Sequence, residues 1–172
     1  MRYTAFLHVP GFLFAASLAA ATAQTAAPPP VKIAVFPFEL EDFSAGAAYV
    51  QPDEIDREQL RLATEEARRL IVESGRYQLV DVSAANEPAA KAGKLHDCDG
   101  CDAKIAADLG ADRSMLGIVT RVTRTEYAVT YKIRDANSGK LLDVKQTDLR
   151  MGANVAWSRG ARWLIERRLL GQ

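Results

Sequence analysis

The sequence predicts a single α/β (α+β) domain, a mixed sheet with helices packed on one side and element order β-α-β-α-β-β-β-α. Two observations carry this. An apolar run at residues 31–38, a stretch of helical periodicity at 54–74 and a second apolar run at 76–82 form a strand, helix, strand crossover, which is right-handed by rule. Three alternating segments then follow one another with no helix between them, the pattern of an antiparallel meander, before a last helical stretch closes the chain.

Residues 31–38 are apolar on both faces, as in a strand covered on each side, until Pro37 removes a ladder donor and ends it. In 54–74, Ile55, Leu62, Ala63, Ala67, Leu70 and Ile71 recur at helical spacing. Glu65 and Arg69 stand four apart as a favourable pair, and Gly75 stops the helix. Tyr77, Leu79, Val80 and Val82 give the strand after it. A polar loop is expected at 83–97 and a short helix at 103–109, ended by Gly110.

The meander spans 114–125, 127–135 and 140–150, with Asn137-Ser138-Gly139 as its hairpin turn. In the middle strand Tyr127, Val129, Tyr131 and Ile133 share one face, while Thr130, Lys132 and Arg134 share the other, which is expected to face water. The last helix, 154–170, places Trp157 and Trp163 about 120° apart around its axis. Both rings are expected on the sheet, with Gly160 allowing close approach; the alternative is that one ring anchors a partner.

Arg2, an apolar stretch at 11–21 and the triplet Ala21-Thr22-Ala23 predict an export signal over residues 1–23, cut before Gln24. The stretch falls short of the roughly 20 apolar residues of a spanning helix, so no integral membrane segment is expected after cleavage and the product is periplasmic. Residues 24–30, rich in Pro and Ala, read as a spacer, and 31–172 as the one domain. Cleavage removes one arginine and no acid, moving the balance of 22 basic and 22 acidic side chains to a net charge of −1. That supplies no field for phosphates, so nucleic acid is not an expected partner. His8 is lost as well, leaving His96 as the only imidazole.

The two cysteines, Cys98 and Cys101, have three readings. In an oxidising compartment they form a disulfide, worth about 2 kcal/mol by chain entropy across so short a loop. A catalytic thiol centre is the second, since a helix follows Cys98. Against it stand Asp97, Asp99 and Asp102, which disfavour a thiolate, and the lack of any proline after Pro88. A metal site is the third, with His96, Cys98 and Cys101 as ligands and Asp97 or Asp102 as a fourth. No catalytic residues and no cofactor are expected on the first reading. Glu39, Glu41 and Asp42 follow the first strand, at the end where open α/β sheets bind ligands; the alternative is a solvated acidic loop.

Ile33-Ala34-Val35-Phe36-Pro37-Phe38, then Ser74-Gly75-Arg76-Tyr77-Gln78-Leu79-Val80-Asp81, then Leu109-Gly110-Ala111-Asp112 with the cysteine pair before it, form a recognisable series. It resembles the N-terminal domain of the Tol-system β-propeller protein and the related curli-secretion and penicillin-binding-protein-activator domains. Cys98-Asp99-Gly100-Cys101, Ile133-Arg134-Asp135, Gly139, Leu149-Arg150 and Trp157-Ser158-Arg159-Gly160, in this order, are similar to an uncharacterised exported proteobacterial family, a domain of unknown function. The resemblance implies a fold and an envelope role and offers no catalytic residues to carry over. Wider relatives act as adaptors or assembly modules, many with a lipid anchor or second domain, neither of which is expected here.

The expectation is therefore a non-enzymatic adaptor whose partner is another envelope protein. Its partner surface combines Thr130, Lys132 and Arg134 with Arg159 and Arg162 on the last helix. The alternative is a thiol-redox or metal-binding protein using His96, Cys98, Cys101 and Asp102.

Overall fold

A computed structural model describes residues 28–45, 47, 52–149 and 156–172. The export signal and its cleavage site lie outside the described residues. Of the spacer, 28–30 are described and have no regular structure.

β1 (Val31–Val35) is apolar on both faces, and both are covered. Ile33 and Val35 enter one core, while Ala34 and the following Phe36 enter a second core on the opposite side. β1 lies between β3 (Tyr77–Val80) and β4 (Arg113–Arg121), parallel to each. α1 (Glu54–Glu73) makes the crossover, opened by a capping box in which Asp53 accepts the Asp56 N–H at 2.8 Å. Gly75 takes φ 65° just past the helix, a conformation costly for other residues. Ala63, Ala67, Leu70 and Ile71 are buried as their spacing predicts, whereas Ile55 is exposed in the first turn. The ion pairs differ from the expected Glu65 and Arg69 couple. Glu65 is held by Arg61, and Arg69 binds Glu66 at 2.8 Å and Glu73 at 2.6 Å.

Residues 39–42 are a strand, not the loop that their acidity suggests. β2 (Glu39–Asp42) pairs parallel with β4, continuing β1 beyond Pro37. β1 places Val35 opposite Met115 and β2 places Glu39 opposite Ile118, so four steps on one side match three on the other. One extra residue is accommodated around Pro37 as a bulge. The bulge reverses the alternation: Glu39 turns to the second core, beside Ile118, and Leu40 packs on the first. Phe38, whose N–H donates to the Thr64 hydroxyl at 2.8 Å, lays its ring over Gly117.

β4, β5 (Tyr127–Asp135) and β6 (Leu141–Leu149) form the antiparallel meander, giving a six-stranded mixed sheet of order β3-β1-β4-β5-β6 with β2 also on β4. α4 (Trp157–Leu164), extended by a wider turn at Ile165–Leu169, packs beside α1 on the first face. Trp157 is fully buried, 5.7 Å from the Tyr127 ring, and Gly160 permits that approach: a Cβ there would meet Val129 at 2.9 Å. Trp163 does not grip the sheet; it is 41% exposed with the Arg168 guanidinium over its ring.

The two long helices thus share one side of the sheet, as expected. The opposite side carries a thinner layer that a two-sided β1 requires: α2 (Pro88–Lys91), a single 3-10 turn (Leu95–Asp97) and α3 (Cys101–Asp108). The stretch expected as a plain loop at 83–97 contains the first two of these, and α3 begins at Cys101 itself. Leu95, Ile105 and Ala106 fill the core against Leu116 and Ile118.

A Cβ at Gly117 would fall within the Phe38 ring. Gly117→Ala should therefore lower stability by about 1–3 kcal/mol, read as a lower urea midpoint at unchanged slope. A midpoint equal to wild type would show that Phe38 is not held over this glycine.

Candidate functional site

The bulge at Pro37 delivers the Glu39 carboxylate to the second face, where it is 4% exposed. Its oxygens accept the Leu95 N–H at 2.8 Å, the His96 N–H at 2.9 Å and a bond at 2.6 Å from the His96 Nδ1 side of the ring. The other ring nitrogen, Nε2, lies 3.3 Å from Asp97. Each nitrogen of the imidazole thus faces a carboxylate, and the ring is turned toward Glu39, away from the cysteines as ligands.

The cysteine turn follows at once. Gly100 adopts φ 89°, which lets the chain reverse and start α3 at Cys101. The two cysteine Cα atoms stand 5.8 Å apart with their sulfurs in bonding contact, as a disulfide. Asp102, 2% exposed, accepts the Ser114 hydroxyl of β4 at 2.5 Å. Arg134 of β5 reaches Asp99 at 2.6 Å, Asp102 at 3.7 Å and the Gly139 carbonyl at 3.1 Å. The alternative metal set of His96, Cys98, Cys101 and Asp102 is not assembled. His96 points at Glu39 and Asp102 at Ser114, and among the described residues no three His, Cys, Asp or Glu side chains converge on one point.

The other two acids of β2 also have partners. Glu41 accepts the Thr120 hydroxyl at 3.2 Å. Asp42 accepts the Ser44 N–H at 2.8 Å and Arg121 at 2.7 Å, and the same arginine binds Asp56 of α1. Burial works to raise the Asp42 carboxyl, but the bonds from Ser44 and Arg121 outweigh it and hold the group below its ordinary range. The acidic cluster is a set of ties between strands and helix.

The residues expected to form one partner surface fall on two. Thr130, Lys132 and Arg134 share the second face, yet none is fully exposed: Thr130 is buried and bonds Gln146, Arg134 is drawn under the cysteine turn, and Lys132 is half-buried. Arg159 and Arg162 lie on α4, across the sheet, where Arg162 binds Glu66 at 2.6 Å. What sequence reasoning missed is Glu39 as the anchor. Its signal was the alternation of Phe38 and Leu40 with Glu39 and Glu41, the period of a strand with one polar face.

The open sheet, the two-sided β1 and the short helical layer tied down by Glu39 define a single mixed α/β domain with helices on both faces of the sheet. This chain belongs to the family described as "Protein of unknown function (DUF2380)", whose model, DUF3280, matches residues 31–169. The fold is shared with the hypothetical protein CT253 from Chlamydia trachomatis, at 14% identity and TM-score 0.50 over 83% of this chain and 96% of that one. The C-terminal domain of LpoB from Escherichia coli is similar at 15% identity and TM-score 0.47, over 76% of this chain and 88% of that one. TolB from Acinetobacter baumannii is similar at 16% identity and TM-score 0.43, over 83% of this chain and 29% of that one. No curated protein matches. Among the described residues no helix is long and apolar enough to cross a membrane.

Glu39→Ala leaves the Leu95 and His96 N–H groups without an acceptor, a cost on the order of 3 kcal/mol. Hydrogen exchange over residues 95–108 should then accelerate well before that of α1. Unchanged protection in this segment would show that Glu39 does not anchor it.

Proposed function

We propose that this chain is an exported, periplasmic adaptor or assembly domain that binds another envelope protein without catalysis, and that its disulfide is structural. One observation carries the reading. The side chains of reactive type, Glu39, His96, Asp102 and Arg134, are each engaged in holding the segment over the second face, and the cysteines are bonded to each other. The export signal read at residues 1–23 and the resemblance to envelope domains support the compartment. The partner surface is the part of the second face beyond the cysteine turn. There Lys132 stands beside Val144 and Gln146 of β6, with Thr130 and Arg134 fixing its floor and rim. Arg159 and Arg162 form a separate patch on α4.

A photo-crosslinking side chain at position 132 should capture a discrete envelope partner in intact cells, and one at position 159 should not. Lys132→Glu should abolish capture from a neighbouring crosslinker at position 146 while leaving the melting temperature unchanged. Capture confined to position 159 would move the surface to α4. Arg134 is a poor test, since its loss also releases Asp99 and Asp102.

Cys98→Ser with Cys101→Ser should leave a folded domain, destabilised by about 2 kcal/mol. A double variant unfolded at room temperature, or one zinc per wild-type chain by elemental analysis, would overturn the structural role.

A further inference from the structure

β6 is a nine-residue strand at the edge of the sheet. Among the described residues it pairs only with β5, so a row of N–H and C=O groups faces outward. It contains no proline or glycine, and Leu141, Leu142 and Val144 are 42%, 45% and 44% exposed. Edges of this length are normally shielded by lysines, by proline or by a bulge. Here Leu142 is the extra residue of a bulge against β5, and Lys145 is the single lysine within the strand.

The order of residues decides what the edge accepts. An antiparallel pairing of β6 with β6 of a second copy, with both sheets continuing face to face, needs a two-fold axis passing through one residue of the strand. Through Asp143 or Lys145 the axis stacks a like charge on itself. Through Gln146 it sets Val144 against Asp148 and Asp143 against Leu149. Through Val144 the central pairs are compatible: Val144 meets Val144 of the second copy, and Asp143 faces Lys145 of the second copy at two symmetric places, the bulge at Leu142 ending the regular register beyond them. Asp143 and Lys145 already lie 2.6 Å apart within one chain, and both point to the same face. The lysine that would repel a foreign strand is thus matched by a second copy of its own.

We propose that two copies of this chain associate through β6, antiparallel and in register about Val144, to make one continuous sheet. This goes beyond the adaptor reading and does not depend on it: edge pairing uses the outward N–H and C=O groups of β6, whereas the adaptor reading uses side chains on the second face, Val144 and Gln146 among them.

The test uses the full chain, expressed with its own N-terminus. Sedimentation equilibrium should give a dimer. Lys145→Glu, which sets Asp143 against Glu at both symmetric places, should weaken association by about tenfold or more, and adding Asp143→Lys should restore it. Val144→Cys should give a disulfide-linked dimer on mild oxidation, since directly opposed Cβ atoms lie about 4.5–5.5 Å apart, while Gln146→Cys should not. A monomer throughout the concentration range, a dimer indifferent to Lys145→Glu, or equal crosslinking from positions 144 and 146 would each overturn the proposal. Lys132→Glu, which tests the adaptor face, should leave the dimer intact.

Discussion

The second layer of this fold depends on one buried carboxylate. Leu95 and His96 present backbone N–H groups to the interior, and no strand or helix partner accepts them; Glu39 does. A carboxylate taken out of water is costly unless its lone pairs are filled, and Glu39 fills them with two amides and an imidazole. From that point the chain is guided step by step. Leu95 is fixed in the core, the cysteine turn follows within three residues, and α3 starts against β4. Glu39 can reach this place only because Pro37 inserts one residue and turns β2 over. A regular continuation of β1 would have sent the same carboxylate into the α1 and α4 core.

The elements legible in the sequence are those whose apolar period is unmixed. β1 reads as two-sided because it is, and α1 and the meander follow their helical and alternating spacings. The boundaries that moved did so where polar residues carry the structure. Glu39 to Asp42 looks like a charged loop because three of its four side chains are acids, and composition does not show that each has a donor waiting on another element. Likewise the alternation of β5 puts Arg134 on the face of Thr130 and Lys132, but alternation gives only the face. That the cysteine turn lies on top of it follows from a contact 35 residues distant in sequence. The two-sided apolarity of β1 already contained the need for a second layer; with α1 and α4 committed to one face, the short helix after the cysteines was the remaining cover.

The last helix shows the same limit from the other side. Trp157 and Trp163 are equally apolar in composition, and only one is in the core. Gly160 opens space beneath Trp157 by letting α4 sit close to Val129 and Leu149. Trp163, six residues on, falls on the outer side and takes Arg168 over its ring instead. Arg159 and Arg162 share α4 with it and are divided from Lys132 by the thickness of the sheet, so arginine enrichment alone did not define a surface. Surfaces follow from strand faces and edges, which the topology sets.

Why a disulfide stands in this turn follows from how the segment is held. Glu39 fixes its start at Leu95 and His96, and Ser114 and Arg134 fix it again at Asp102. Between these ties the chain must reverse through Gly100, whose positive φ suits a residue of large conformational freedom. A bond from Cys98 to Cys101 spans that reversal and adds a covalent restraint where the contact of Asp99 with Arg134 is the other tie. The gain in global stability is small, and the local consequence is larger: the turn that overhangs Arg134 keeps one shape. A sheet face bordered by a fixed rim loses less entropy on meeting a partner than one bordered by a mobile loop. The buried polar network and the disulfide thus act together on position, and the sheet face next to them, the proposed partner surface, inherits that rigidity.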